Sequence, residues 1–334
     1  MIIRKCPDGA GLYALERGDL RLTLTDIGAS VTDLVFQGTD VVLGWGEPGS
    51  YRENGVFLGT TVGRSANRIA GGRFSLNGAD YTLGKNDGEN NLHSGPDGWH
   101  TRRWAAEETG ENSLAFRLDS PDGDQGFPGR VRISVTYTLG PDEVSIEYRA
   151  HSDADTLLNP TNHTYFNLNG HGSGDVLGHS LRLCADAYTP AGPGLIPTGE
   201  IAPVEGTPFD FRAAHPIGRD IGADHPQLRA AGGYDHNFCL NGNGLRPAAE
   251  LTGDRSGITL SLWTDRPGVQ LYTGNFLAGE RGKDGAVYGR RCGVCLETQC
   301  WPDAIHRPGF PSPVLRAGEE FRSLTVWRFR SAER

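Results

Sequence analysis

Apolar and polar residues alternate with a period of two along much of this chain. Leu20-Arg21-Leu22-Thr23-Leu24-Thr25 and the run from Val31 to Phe36 show it near the N-terminus. Val131 to Leu139 shows it again, and after Gly140-Pro141-Asp142 so does Val144 to Tyr148. Successive side chains of a strand point to opposite faces, so this period predicts strands, here joined as a hairpin. Strands are also predicted at 179–185, 236–240, 258–264, 268–273 and 321–330. Arg73 to Leu83 predicts a second hairpin, because Asn77-Gly78 supplies the positive φ angles of a two-residue turn. Helical periodicity is nearly absent: no stretch of a dozen residues places apolar side chains at i, i+3, i+4 and i+7. Closely spaced strands without helices between them exclude a βαβ sheet. The expected fold is all-β, a large antiparallel β-sandwich forming one domain over residues 1–334.

One predicted strand carries unusual chemistry. In Gly293-Val294-Cys295-Leu296-Glu297-Thr298-Gln299, Val294, Leu296 and Thr298 share one face and Cys295, Glu297 and Gln299 the other. No Lys or Arg lies between Cys292 and His306. If the strand is interior, Glu297 has lost water and gained no local cation, which raises its pKa and suits it to accept a proton near neutral pH. If one face is solvated, Glu297 is an ordinary surface carboxylate. Periodicity does not separate the two.

Composition narrows the function classes. Glycine is 48 of 334 residues, about twice the usual ~7%, and it falls between short apolar runs, as many turns require. The net charge of −9 disfavours nucleic acid and anionic membranes as partners. The first residues, Met1 to Pro7, lack the apolar core of a signal peptide, and no run approaches a membrane span, so a cytoplasmic location is expected. Six cysteines are too few for a disulfide scaffold. Cys292 and Cys295 point to opposite faces of the predicted strand, so with Cys300 they are expected as free packed thiols rather than a metal cluster. There is no P-loop, no His-Glu-X-X-His and no Gly-X-Ser-X-Gly; Gly170 to Gly174 reads as a flexible loop.

What remains is a scatter of polar residues. Gly63 to Ile69 holds Arg64, Asn67 and Arg68; Asn90 to Gly95 holds His93; Asn159 to Leu168 holds His163; Gly232 to Phe238 holds Asp235; and Gln270 lies in Val269-Gln270-Leu271. Each has an ordinary structural explanation. Arg68 would serve as well in a surface ion pair, either histidine as a hydrogen-bonded structural residue, Asp235 as a turn residue after two glycines, and Gln270 as an outward strand residue. His236 alternates away from Asp235 and is expected to be structural.

Taken together the segments resemble the aldose 1-epimerases (galactose mutarotases). They are Gly63–Ile69, Asn91–His93, Thr161–Leu168, Ile196–Glu200, Gly206–Arg212, Gly233–Phe238, Pro267–Asn275 and Leu296–Gln299, followed by Pro302–Ala304 and Phe310–Ser312, in the family's order. The resemblance implies a β-supersandwich with an open sugar cleft and a small-molecule aldose as partner, without cofactor or metal. It places the general base at Glu297 and the general acid at His163. Arg68, His93 and Asp235 fall on substrate-binding positions, with Asn67 and Gln270 near the sugar. The implied activity interconverts the α and β anomers of free hexoses such as galactose and glucose. Two alternatives stay open, a hexose-6-phosphate 1-epimerase on the same fold with Arg64, Arg68 and Arg73 as phosphate candidates, and, from another class, a non-catalytic carbohydrate-binding module. A glycosidase using Asp235 and Glu297 is a third. The chain departs from the family pattern at Ser94, where glycine is usual, at Pro160, and at Trp301 and His306.

Overall fold

The computed structural model describes residues 2–6 and 9–331. Its large sheets are antiparallel throughout, as the alternation predicts. Nine strands form the largest: in spatial order Ala105–Gly110, Ser113–Ser120, Val131–Leu139, Glu143–Ser152, Glu320–Arg330, Thr259–Thr264, Arg246–Thr252, Ser180–Leu183 and His215–Pro216. Six strands form a second: Tyr165–Phe166, Val294–Gln299, Gly268–Tyr272, Asp235–Leu240, Ala185–Thr189 and Ala202–Pro203. A third, of five N-terminal strands, includes Leu20–Thr25 and Ser30–Phe36.

The sheets pack through large side chains that the alternation turns inward. Phe166 of the six-stranded sheet meets Trp327 of the nine-stranded sheet edge-on, with ring centroids 5.0 Å apart. Phe36 of the N-terminal sheet meets Phe329, and Tyr13 meets Phe116, each at 5.7 Å. One buried apolar cluster therefore draws on all three sheets. Each fully buried side chain of this size contributes roughly 1.5–3 kcal/mol relative to exposure.

The predicted hairpin forms as expected: Arg73–Leu76 pairs with Ala79–Thr82 around Asn77 and Gly78, whose φ angles are 52° and 80°. The single strand expected at 179–185 is instead two, Ser180–Leu183 and Ala185–Thr189, in different sheets. Cys184 is the crossing point. Its amide donates to Ala248 O of the nine-stranded sheet (2.9 Å), while its carbonyl accepts from Asn241 N beside the six-stranded one (2.9 Å). The α-helix Pro226–Ala231 was not anticipated. Six residues are too few to show a 3.6 period, and its ends are set by capping: the His225 ring accepts from Gln227 N, and Gly232 at φ 69° closes it. Among the described residues, no helix is long and apolar enough to cross a membrane.

Candidate active site

Three adjacent strands supply the floor of a cleft of about 740 Å³, a size typical of ligand pockets. Val294–Gln299 is buried along its whole length, so the interior reading of Glu297 holds; its residue is 2% exposed. Register places Gln270 of the middle strand opposite Glu297, and Asp235 opposite Tyr272. Cys295 shares the Glu297 face, as alternation predicts, and its Sγ lies 3.6 Å from His163 Nδ1. Gln270 does not line the cleft. Its Nε2 donates to Asp235 Oδ1 at 2.7 Å and so orients a carboxylate that does.

Loops carry the remaining groups. His163 follows the short strand Thr161–Asn162, and its backbone is held on both sides: its amide donates to Thr60 O (2.8 Å), and its carbonyl accepts from Gly59 N (3.1 Å). Its Nε2 stands 3.7 Å from Glu297 Oε1. Asn67 and His93 are mutually bonded. His93 N donates to Asn67 O (3.0 Å), and Asn67 N donates to His93 Nδ1 (3.2 Å). An imidazole nitrogen that accepts an amide proton carries none, so neutral His93 has its proton on Nε2. Both residues have left-handed φ angles, 58° and 50°, as does Phe57 at 60°. Such conformations are uncommon for side-chain-bearing residues and concentrate at functional sites. Ser94, the departure from glycine, is also left-handed at φ 74°. Its hydroxyl compensates, accepting from Ser65 N (2.6 Å) and donating to Ser65 O (3.0 Å).

Arg68 reaches the cleft wall and donates Nε to Asp87 Oδ2 at 2.7 Å. The ion pair considered for it is real, but it lies in the cleft rather than on an outer surface. The segment after the Glu297 strand supports it: Asp303 N donates to Arg68 O (3.1 Å), and Asp303 Oδ1 accepts from Ala70 N (3.0 Å). Trp301 and His306 do not line the cleft; the first donates to Pro267 O and the second pairs with Asp303. Arg64 also points away, buried and donating to the carbonyls of Pro128 and Gly129, each at 2.8 Å. His236 is structural, as expected: its Nδ1 accepts from Asp235 N and its Nε2 faces Gln227 Oε1, both at 3.1 Å.

The electrostatics follow from burial. Loss of water raises the Glu297 pKa well above its ordinary value; the neighbouring Asp235 adds to this and Arg68 opposes it. Asp235 is raised by burial too, against the pull of Arg68 and the Gln270 hydrogen bond. Burial lowers His163 from 6.5 to about 4 and holds His93 well below 6.5. Glu297 Oε2 is buried and makes no hydrogen bond within the protein. The floor thus holds a carboxyl group with an open lone pair, facing an imidazole, in a low-dielectric site.

Ligand atoms of His93, His163 and Glu297 all lie within 4.8 Å of one another, and two imidazoles with a carboxylate can hold a divalent ion. Here His93 does not fit that role. Its Nδ1 lone pair is taken by the Asn67 amide and its Nε2 bears the proton. The cysteines are free, with Cys239, Cys295 and Cys300 buried.

Sequence reasoning missed the apolar wall. Phe57 touches the rings of His93 (4.6 Å) and His163 (5.7 Å). Tyr165 and Tyr272 lie 5.0 and 6.1 Å from His163, and Phe276, 59% exposed, stacks on Tyr272. Aromatic residues scattered over such distances have no common spacing to read. Asp87 was missed as well, lying in a polar stretch that reads as a surface turn.

The sequence profile of the aldose 1-epimerase family matches residues 11–328. The chain is a member of the aldose 1-epimerase family. It is 41% identical over 336 residues to the galactose mutarotase of Sus scrofa, covering 98% of this chain and 96% of that one. It is 40% identical over 336 residues to the aldose 1-epimerase of Escherichia coli K12, covering 97% and 96%. Its fold matches the crystal structure of the GalM/aldose epimerase homologue from C. elegans with a TM-score of 0.90, at 31% identity over 97% of this chain and 100% of that one. These likenesses bear out the mutarotase-like β-sandwich expected for the fold.

Proposed function

We propose that this chain is a mutarotase, interconverting the α and β anomers of free hexoses such as galactose and glucose. The observation that carries the proposal is the buried pair at the cleft floor, Glu297 Oε1 and His163 Nε2 at 3.7 Å. Mutarotation needs one proton taken from the anomeric hydroxyl and one given to the ring oxygen. Neither atom reacts readily unaided, and a positioned acid and base contribute typically about 10²–10⁴-fold.

In the proposed reaction Glu297 accepts the proton of the C1 hydroxyl while His163 protonates the ring oxygen. The C1–O5 bond breaks, C1 becomes an aldehyde, and the C1–C2 bond rotates. Closure on the other face returns both protons, so the enzyme ends as it began. Between them the two groups hold one proton in this cycle. With it on His163 the couple is carboxylate and imidazolium; with it on Glu297 both are neutral. Burial favours the neutral form of each, and Arg68 favours the Glu297 carboxylate. His93 presents a neutral N–H that suits a fixed donor to a sugar oxygen. Arg68 and Asp235 anchor hydroxyls while C1 turns, and Gln270 and Asn67 hold Asp235 and His93 in place.

The charge of the cleft disfavours the hexose-6-phosphate reading. Of the three arginines considered for the phosphate, Arg68 alone lines the cleft, and Asp87 offsets it. A binding module would leave the Glu297–His163 couple without a task. The test is polarimetry of freshly dissolved α-D-galactose: approach to the anomeric equilibrium is expected to accelerate in proportion to protein added. A rate equal to the uncatalysed one, with sugar binding intact, supports the binding-module reading instead.

A further inference from the structure

The charges lining the cleft are lopsided. Among the described residues on its wall, Arg68 is the one Lys or Arg, against the carboxyl groups of Asp87, Glu89, Asp235 and Glu297. Asp235 and Glu297 belong to the floor. Glu89 sits at the rim, mostly exposed, and pairs with Lys85 at 2.6 Å. Asp87 has no part in the chemistry above, yet it is built in with care. Its carboxylate accepts from Arg68 Nε, with the two side chains 35% and 10% exposed.

The turn that carries Asp87 is anchored at both ends. Asp87 N donates to Asn90 O (3.3 Å) and Asn90 N to Asp87 O (3.0 Å). Asn86 bonds Leu92 in both directions, Nδ2 to O at 3.0 Å and N to Oδ1 at 2.8 Å. Asn90 Oδ1 accepts from Gly71 N at 3.1 Å. His93 follows one residue after Leu92, so the turn is continuous with the catalytic wall.

An unpaired guanidinium in a cleft is a strong receptor for carboxylate or phosphate, because its N–H groups match their oxygens in pairs. Asp87 occupies one of those N–H groups and offsets the charge. We propose that Asp87 sets the charge selectivity of this site, restricting it to uncharged aldoses and turning away sugar acids and sugar phosphates. The inference rests on the mutarotase reading and adds the substrate class that the site rejects. A substrate anion drawn to the Arg68 guanidinium would have to approach the Asp87 carboxylate, whose Oδ2 is 2.7 Å from Arg68 Nε. With the partial exposure of Asp87 allowed for, the repulsion disfavours an anionic sugar by roughly tenfold or more.

The test compares D-galacturonate with D-galactose on wild type and on Asp87→Asn, which keeps the shape and an oxygen acceptor for Arg68 Nε. The ratio of kcat/KM for galacturonate over galactose is expected to rise about tenfold in the variant. An unchanged ratio, with galactose turned over, overturns the inference and leaves the mutarotase reading standing. Wild type that does not accelerate galactose mutarotation overturns that reading itself. A readout independent of the variant's folding is ionic strength: salt screens the repulsion, so the wild-type ratio is expected to rise from low to high salt. A ratio flat with salt counts against the inference in the same way.

Discussion

The nine-stranded and six-stranded sheets obey the same period of two and put its polar half to opposite uses. Along Val131–Leu139 the residues between the buried ones, Arg132, Ser134, Thr136 and Thr138, are exposed or half-buried. Along Gly268–Tyr272 and Val294–Gln299 every residue is buried, the polar ones included. The contrast is sharpest between two glutamates. Partial burial pushes Glu147 up, but hydrogen bonds from Arg149 and Arg322 outweigh it and hold it below its ordinary range. Burial pushes Glu297 well above that range, since no side chain donates a hydrogen bond to its Oε2. The same residue type at the same kind of strand position is a surface ion-pair partner in one sheet and a candidate base in the other. Alternation says which side chains share a face, and packing decides whether that face meets water.

Removing the buried carboxylate should break the comparison most severely. Glu297→Gln is expected to lower kcat on galactose by roughly two orders of magnitude or more, and His163→Asn to do the same, both measured by polarimetry. A near-wild-type rate would remove that residue from the mechanism. Glu297→Gln should keep or raise the thermal midpoint, because it replaces a buried ionisable group by a neutral one of the same shape. The pH dependence has a definite sign. A carboxyl whose folded pKa is raised contributes stability that is present below its unfolded value, ordinarily 4.5, and is lost as pH rises through the folded one. The stability gained by Glu297→Gln over wild type should therefore grow as pH rises from acid toward neutral in equilibrium unfolding. His163 acts oppositely: its contribution is full above 6.5 and is lost as pH falls through about 4. His163→Asn should flatten that acid-side loss.

Arg68 links the cleft floor to its wall, and its removal should have an intermediate effect. Charge-assisted hydrogen bonds contribute about 1.5–3 kcal/mol, so Arg68→Ala is expected to raise KM for galactose roughly tenfold or more, with a partial loss of kcat. Arg68 also holds down the pKa of both Glu297 and Asp235. The acid limb of the kcat/KM profile should accordingly move to higher pH in the variant. An unchanged KM with an unmoved acid limb would mark the arginine as structural, serving only Asp87.

Much of this was legible in the chain. The long strands and the Asn77-Gly78 hairpin announce themselves by local pattern, because period and turn chemistry are properties of a few adjacent residues. The crossing at Cys184 is not local. Residues 179–185 read as one strand, and only the partners on either side, Ala248 and Asn241, divide it between two sheets. For the site, Glu297 stood out by its strand, family likeness gave the scattered polar residues their roles, and alternation alone put Cys295 on the Glu297 face. The burial that distinguishes Glu297 from Glu147 was not readable, since both lie in alternating strands. Asp87 and Phe57 were invisible for a related reason: their meaning comes from Arg68 and from His93 and His163, which lie far from them in sequence or carry no shared motif.

The smallest expected effect tests the other side of the comparison. Glu147 accepts hydrogen bonds from Arg149 Nε (3.0 Å) and Arg322 Nε (2.6 Å), and those arginines are about half exposed, at 46% and 58%. Ion pairs in such settings are screened by water and contribute about 0–1 kcal/mol. Glu147→Gln should leave kcat and KM on galactose unchanged and lower stability by less than about 1 kcal/mol in equilibrium unfolding. The nine-stranded sheet packs against the six-stranded one through Trp327 and Phe166, and this apolar contact carries no charge from the outer face to the cleft. A fall in kcat approaching that of Glu297→Gln would mean that the polar face of the outer sheet is coupled to the chemistry, and the division of labour between the sheets would have to be abandoned.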